Sequence, residues 1–128
     1  MANVPDELLY TDDHEYIRTG RDANVVTIGI TDYAQGELGD VVFINLPKVG
    51  DSFTAHQAFG TIEAVKAVAD LFAPVAGEVV EVNTALDADP AVVNSDPYTA
   101  GWMIKLKINA ADLSALLSAD AYRTHIGG

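Results

Sequence analysis

The run Phe59-Gly-Thr-Ile-Glu-Ala-Val-Lys66-Ala-Val-Ala-Asp-Leu-Phe-Ala-Pro74 sets one lysine between two apolar, strand-like halves. Local pattern supports two readings of it. Ile62, Val65, Ala69 and Phe72 recur at helical spacing, and Glu63, Ala64, Lys66 and Ala67 are good helix formers. Propensity therefore favours a helix bounded by Gly60 and Pro74. Strand–turn–strand, with Lys66 at the turn, is the competitor. The lysine is one of four, with Lys48, Lys105 and Lys107, and acidic residues flank it at Glu63 and Asp70. A long flexible stem ending in a single primary amine is a natural handle for acylation. An ordinary surface ion pair with Glu63 or Asp70, worth little to stability, is the plainer alternative.

Outward from this run the chain reads as mostly strand. Asn24–Ile30 and Asp40–Leu46 are rich in β-branched residues, and Gly77–Asn83 forms a third such run. Between the first two, Thr31 can cap a short helix that Gly39 ends. Lys48–Asp51 reads as a turn, and Asp89-Pro90 opens a helical turn that Asn94 can close. Trp102–Ile108 alternates, with Met103, Lys105 and Lys107 on a wet face and Ile104, Leu106 and Ile108 on a dry one. The segment 112–126 is rich in helix formers, and Leu113, Leu116 and Leu117 fall at i, i+3 and i+4. One or two short helices packed on the sheets are expected there.

Composition narrows the function. The length of 128 residues suits one domain with a real core. The formal charge of −12 repels phosphate backbones, which argues against nucleic acid and suits basic patches on partner proteins. No apolar run is long enough to span a bilayer, and the first residues lack the pattern of a signal or transit peptide, so a cytoplasmic protein of bacterial type is expected, with a mitochondrial matrix protein whose transit peptide has been removed as the alternative. The absence of Cys excludes disulfides and Cys-ligated zinc, and any thiol chemistry must come with a cofactor. No nucleophile–base set, zincin spacing or glycine-rich phosphate cradle is present, so nothing argues for an enzyme acting alone. The cluster Asp12, Asp13, His14, Glu15 could hold a cation but reads more simply as a solvated acidic turn.

The stretch from Gly60 to Asn83 closely resembles the lipoyl-attachment region of the H protein of the glycine cleavage system. Tyr10-Thr-Asp-Asp-His-Glu-Tyr-Ile-Arg18, Thr27-Ile-Gly-Ile-Thr-Asp-Tyr-Ala-Gln35, Leu38-Gly-Asp-Val-Val-Phe43, Asn94-Ser-Asp-Pro-Tyr98 and Gly101-Trp-Met-Ile-Lys105 resemble the other motifs of that family, in order, over nearly the whole chain. The resemblance implies a single lipoyl-carrier domain over 1–128, a flattened β barrel or sandwich of two antiparallel sheets with short helices. It places a lipoyl hairpin at about 59–74 and a C-terminal helical segment at about 112–126. That would settle the ambiguity around Lys66 in favour of a tight turn, tertiary context overriding propensity.

The resemblance further implies that Lys66 carries lipoate in amide linkage and that Glu63 is recognised by the attaching enzyme, a lipoate ligase or transferase. The family's arm takes an aminomethyl group when glycine decarboxylase, a pyridoxal-phosphate enzyme, acts on glycine. It delivers that group to a tetrahydrofolate-dependent aminomethyltransferase and is reoxidised by dihydrolipoyl dehydrogenase. The H protein itself is a carrier, expected to be monomeric with transient partners. Glu15 and Asp70 match positions that hold the loaded arm; Asp13 stands where a Ser can occur, either as an extra acidic acceptor for that arm or as a solvated loop residue. Tyr16 departs from the family's usual Trp, and Ala64 from its usual Ser. A biotin carrier is disfavoured because Val65 and Ala67, not Met, flank the lysine. An H-like protein relaying octanoyl or lipoyl groups to other enzymes, and an unmodified binding domain of the same fold, are the remaining rivals.

Overall fold

The computed structural model describes residues 3–127. In chain order it contains β1 (Leu9–Tyr10), β2 (Glu15–Thr19), β3 (Val25–Ile30), α1 (Asp32–Leu38), β4 (Val41–Asn45), β5 (Ser52–Phe53) and β6 (Ala58–Ala64). There follow β7 (Val68–Phe72), β8 (Gly77–Val82), α2 (Ala85–Ala88), α3 (Val92–Ser95), β9 (Ile104–Ile108), a 3-10 helix (Ala110–Ala115) and α4 (Ala119–His125). Six strands form one sheet in the order β1-β2-β3-β9-β8-β5, and three form a second, β4-β6-β7. Every pairing is antiparallel. The fold class is thus the expected one, mainly β in two sheets with short helices.

Alternation along the strands explains the core. Ile17, Ile28, Val79 and Leu106 of the larger sheet are buried against Ile44, Ile62 and Leu71 of the smaller one. A second, smaller cluster joins Val4, Leu8, Tyr10 and Tyr16 to Tyr98, Ala119 and Tyr122. There the Tyr10 and Tyr122 rings stack at 4.6 Å. Buried phenols need partners, and they have them: Tyr10 donates to the Pro5 carbonyl at 2.6 Å and Tyr16 to the Pro97 carbonyl at 2.7 Å.

The structure departs from expectation at Met103, along the C-terminal segment and at Asn94. Met103 is not on a wet face. It is fully buried, because β9 begins only at Ile104 and the Met103 N–H is already spent on the Ile28 carbonyl. Leu113, Leu116 and Leu117 do not share a helical stripe: the 3-10 helix stops at Ala115, and Leu117 exchanges both backbone hydrogen bonds with Tyr10 at 2.9 and 2.8 Å. Asn94 does not close a helical turn after Pro90. It lies inside α3, and its side chain is engaged elsewhere.

Candidate functional site

The run around Lys66 resolves as strand–turn–strand, β6 and β7: Ile62 pairs with Ala69 and Glu63 with Val68. The helix loses because β6 is a central strand, laddered to β4 on one side and β7 on the other. Burying Ile62 and Leu71, each 1% exposed, outweighs the few tenths of a kcal/mol that Ala, Glu and Lys gain as helix formers. Gly60 fits the strand for a steric reason, since a Cβ there would lie 2.2 Å from the Asn45 carbonyl oxygen. The Ala64 N–H donates to the Ala67 carbonyl at 2.7 Å and closes the turn, leaving Val65 and Lys66 at its tip.

The tip is anchored, not loose. Val65 N–H donates to the Asp40 carbonyl at 2.9 Å, which ties the hairpin to the turn between α1 and β4. In that turn Gly39 has φ +81°, and a Cβ on it would meet Lys66 Cε at 2.8 Å, so the lysine stem lies across a bare Cα. Asn94 fixes the turn from below. Its amide donates to Gly39 O at 2.8 Å and Gln35 Oε1 at 3.0 Å, and its oxygen accepts from Val41 N–H at 2.8 Å. Among the described residues no carboxylate lies within ion-pair distance of Lys66; Glu63 and Asp70 are not its partners. Lys66 is exposed at the end of this hydrogen-bonded root.

Beside β7 runs a cleft of about 310 Å³ whose lining includes Asp13, Glu15, Tyr33, Leu38, Ile62 and Asp70. Asp13, Glu15 and Asp70 thus come together, whereas Glu63 lies outside the cleft. Glu15 is no solvated turn residue: it is 2% exposed and accepts from Thr11 Oγ1 at 2.9 Å. Burial pushes its carboxyl up from 4.5 to about 8; the Thr11 hydroxyl and the Phe72 N–H oppose the shift, and the neighbouring Asp13 charge adds to it. His14, with φ +70°, shares a 2.8 Å hydrogen bond with the Tyr122 hydroxyl, which also bonds Thr31 Oγ1 at 2.8 Å. Burial, then the nearby His125, holds the His14 imidazole below its usual range. The α1 wall of the cleft was not singled out in sequence. Its signal was the i, i+4 spacing of Tyr33 and Glu37, which puts both on one helical face. Among the described residues no cluster of three or more acidic or histidine side chains is placed to hold a metal ion. Nor, among them, is any helix long and apolar enough to cross a membrane.

A two-sheet fold that presents a lysine, unpaired among the described residues, on a hydrogen-bonded hairpin beside an acidic cleft fits the class of proteins that carry a group on a lysine. The comparisons specify which. The glycine cleavage H-protein family model matches residues 8–127. The glycine cleavage system H protein of Chlorobaculum parvum is 58% identical over 126 residues, 98% of each chain. That of Mycobacterium tuberculosis is 48% identical over 130 residues, 96% of each. The crystal structure of an H protein from Mycobacterium marinum superposes with a TM-score of 0.89 at 40% identity, covering 98% of this chain and all of that one. The chain belongs to the glycine cleavage H-protein family.

Proposed function

We propose that this chain is a single lipoyl-carrier domain over 1–128 that works as the non-catalytic, cytoplasmic shuttle of glycine cleavage, with lipoate in amide linkage on Lys66. Its partners are glycine decarboxylase, the aminomethyltransferase, dihydrolipoyl dehydrogenase and a lipoate ligase or transferase. The observation that carries the reading is the exposed Lys66, without an ion-pair partner among the described residues, on a tip rooted by the Val65–Asp40 hydrogen bond. An amide removes the lysine's charge, and here that strands no carboxylate of the described residues, because none of them is paired with it. When bound, the dithiolane supplies the redox and group-carrying chemistry that a chain without Cys lacks.

The chain's own residues hold and orient. Ile30, Leu38, Ile62 and Leu71 offer the arm an apolar wall, and Asp13, Glu15 and Asp70 offer acceptors to an amine cation. With its carboxyl near 8, Glu15 is mostly protonated in an empty cleft at neutral pH. A cation held beside Glu15 would favour its carboxylate form and lower that value. Intact-mass and peptide-map spectrometry of protein from its native host tests the reading. A mass increase equal to one lipoyl amide on Lys66, absent from Lys66→Arg, is expected. An unmodified chain that a lipoate ligase also refuses in vitro would falsify it.

A further inference from the structure

Tyr122 of α4 is fully buried in the second core cluster, where its ring stacks on Tyr10. The ring alone accounts for that packing. The hydroxyl reaches out of the cluster. It lies 2.8 Å from His14 Nδ1 and 2.8 Å from Thr31 Oγ1. His14 belongs to the turn that carries Asp13 and Glu15, and Thr31 caps α1, its Oγ1 accepting from the Ala34 N–H at 3.2 Å. Those two elements are walls of the acidic cleft: Asp13 and Glu15 line it from the turn, Tyr33 and Leu38 from α1. One hydroxyl thus joins both walls, from a helix that contributes no residue to the lining of the cleft.

The turn needs such support. His14 has φ +70°, a region that favours glycine, so surrounding contacts must hold it there. The backbone supplies two: the His14 N–H donates to the Thr11 carbonyl at 3.2 Å, and the Thr31 N–H donates to the His14 carbonyl at 3.0 Å. The Tyr122 hydroxyl supplies the side-chain contact. It can do so because α4 is fixed in its turn. Ser118 caps the helix by accepting from the Ala121 N–H at 3.2 Å, and Arg123, next to Tyr122, donates to the Val4 carbonyl at 2.7 Å and pairs with Asp6 and Asp120.

We infer that Tyr122 is a positioning residue for the carried group: by holding His14 to Thr31 its hydroxyl fixes the turn that presents Asp13 and Glu15 against α1, and so sets how long the cleft retains a loaded arm. The inference deepens the carrier reading and rests on it. Acceptors held in place before a cation arrives need no ordering when it binds, so the contact is stronger for being prepared. Walls that part admit water, which weakens every polar contact inside and lets solvent reach the bound group. The hydroxyl acts on retention without touching the arm.

Two variants that each lose one hydroxyl separate positioning from stability. Tyr122→Phe removes the shared group. Tyr10→Phe removes the phenol stacked against it, which donates to the Pro5 carbonyl at 2.6 Å and not to either wall. The first readout needs no cargo: in the unmodified full chain the Glu15 carboxyl is followed across pH by carbon-13 NMR. Burial holds its midpoint at about 8; in Tyr122→Phe it is expected to fall towards 4.5 as water enters, and in Tyr10→Phe to stay. The second readout is the rate at which the lipoylated, aminomethyl-loaded chain loses its cargo to water, giving formaldehyde and ammonium and freeing the thiol. It is expected to rise about fivefold in Tyr122→Phe and to match wild type in Tyr10→Phe. An unmoved midpoint or an unmoved rate in Tyr122→Phe, or equal changes in the two variants, overturns the inference and leaves the carrier reading standing. A wild-type chain that never accepts a lipoyl group on Lys66 overturns the carrier reading and the retention role with it.

Discussion

Asn94 holds Gly39 in place: its side-chain amide donates to the Gly39 carbonyl at 2.8 Å, so a residue of α3 sets the platform on which the Lys66 stem rests. The same side chain accepts from Val41 N–H at 2.8 Å. Asn94→Ala removes these two bonds and the one to Gln35 Oε1, and leaves the enclosed Val41 N–H without a partner. A loss of about 2–3 kcal/mol in chemical denaturation is expected. Amide exchange at Val65, whose N–H is tied to Asp40 in that turn, should quicken more than exchange in β3.

Glu15 makes stability depend on pH in a stated direction. Its folded carboxyl sits near 8, above the 4.5 of an unfolded chain, so between those values the native state binds the extra proton. Its contribution is complete below about pH 4.5 and is lost as pH rises towards 8. Glu15→Gln lacks this dependence. Melting temperatures of wild type and variant, compared from pH 5 to 8.5, should diverge steadily, wild type falling relative to Glu15→Gln. Parallel curves would show that Glu15 ionises normally in the fold.

Tyr122→Phe keeps the ring stacked on Tyr10 but deletes the hydroxyl shared by Thr31 and His14. A loss of about 1–2 kcal/mol is expected, against about 3–5 for Tyr122→Ala, which also empties the second core cluster. Urea unfolding of both variants measures the two contributions separately.

Two glycines should respond oppositely to the same change. Gly36→Ala adds a methyl in the middle of α1 where nothing lies within 4 Å, and should stabilise by about 0.5–1 kcal/mol. Gly60→Ala drives a methyl to 2.2 Å from the Asn45 carbonyl oxygen, and β4 must move. Thermal melts should show the first variant above wild type and the second well below it.

The parts of this fold legible in sequence are those where one local rule decides. The β-branched runs became β3, β4 and β8, and Thr31 and Gly39 bound α1 as its caps. The strand β2 was not singled out, because Glu15-Tyr-Ile-Arg-Thr follows an acidic run and carries a buried carboxylate where alternation leads one to expect a wet position. Four residues of α2 are too short to show a period. At Lys66 local chemistry leaned the wrong way, since Glu63, Ala64 and Ala67 favour a helix. The deciding partners, Ile44 and Asn45 of β4, are far from it in sequence and joined to β6 only by the ladder. The acidic residues of the cleft came from family likeness. The α1 wall and the Asn94 clamp needed the third dimension, since each joins segments far apart in the chain.

Strand β9 lies between β3 and β8 in the six-stranded sheet, with Leu106 opposite Val26 on one side and Val79 on the other. That placement sets the timing of folding during synthesis. While residues up to about Val82 emerge from the ribosome, the larger sheet exists only as two unjoined parts, each with an open edge and an uncovered apolar face. Neither can close until Ile108 has cleared the exit tunnel. The nascent chain therefore waits for its late-made keystone, and then the lysine platform, the cleft and the core arrive together in one cooperative event.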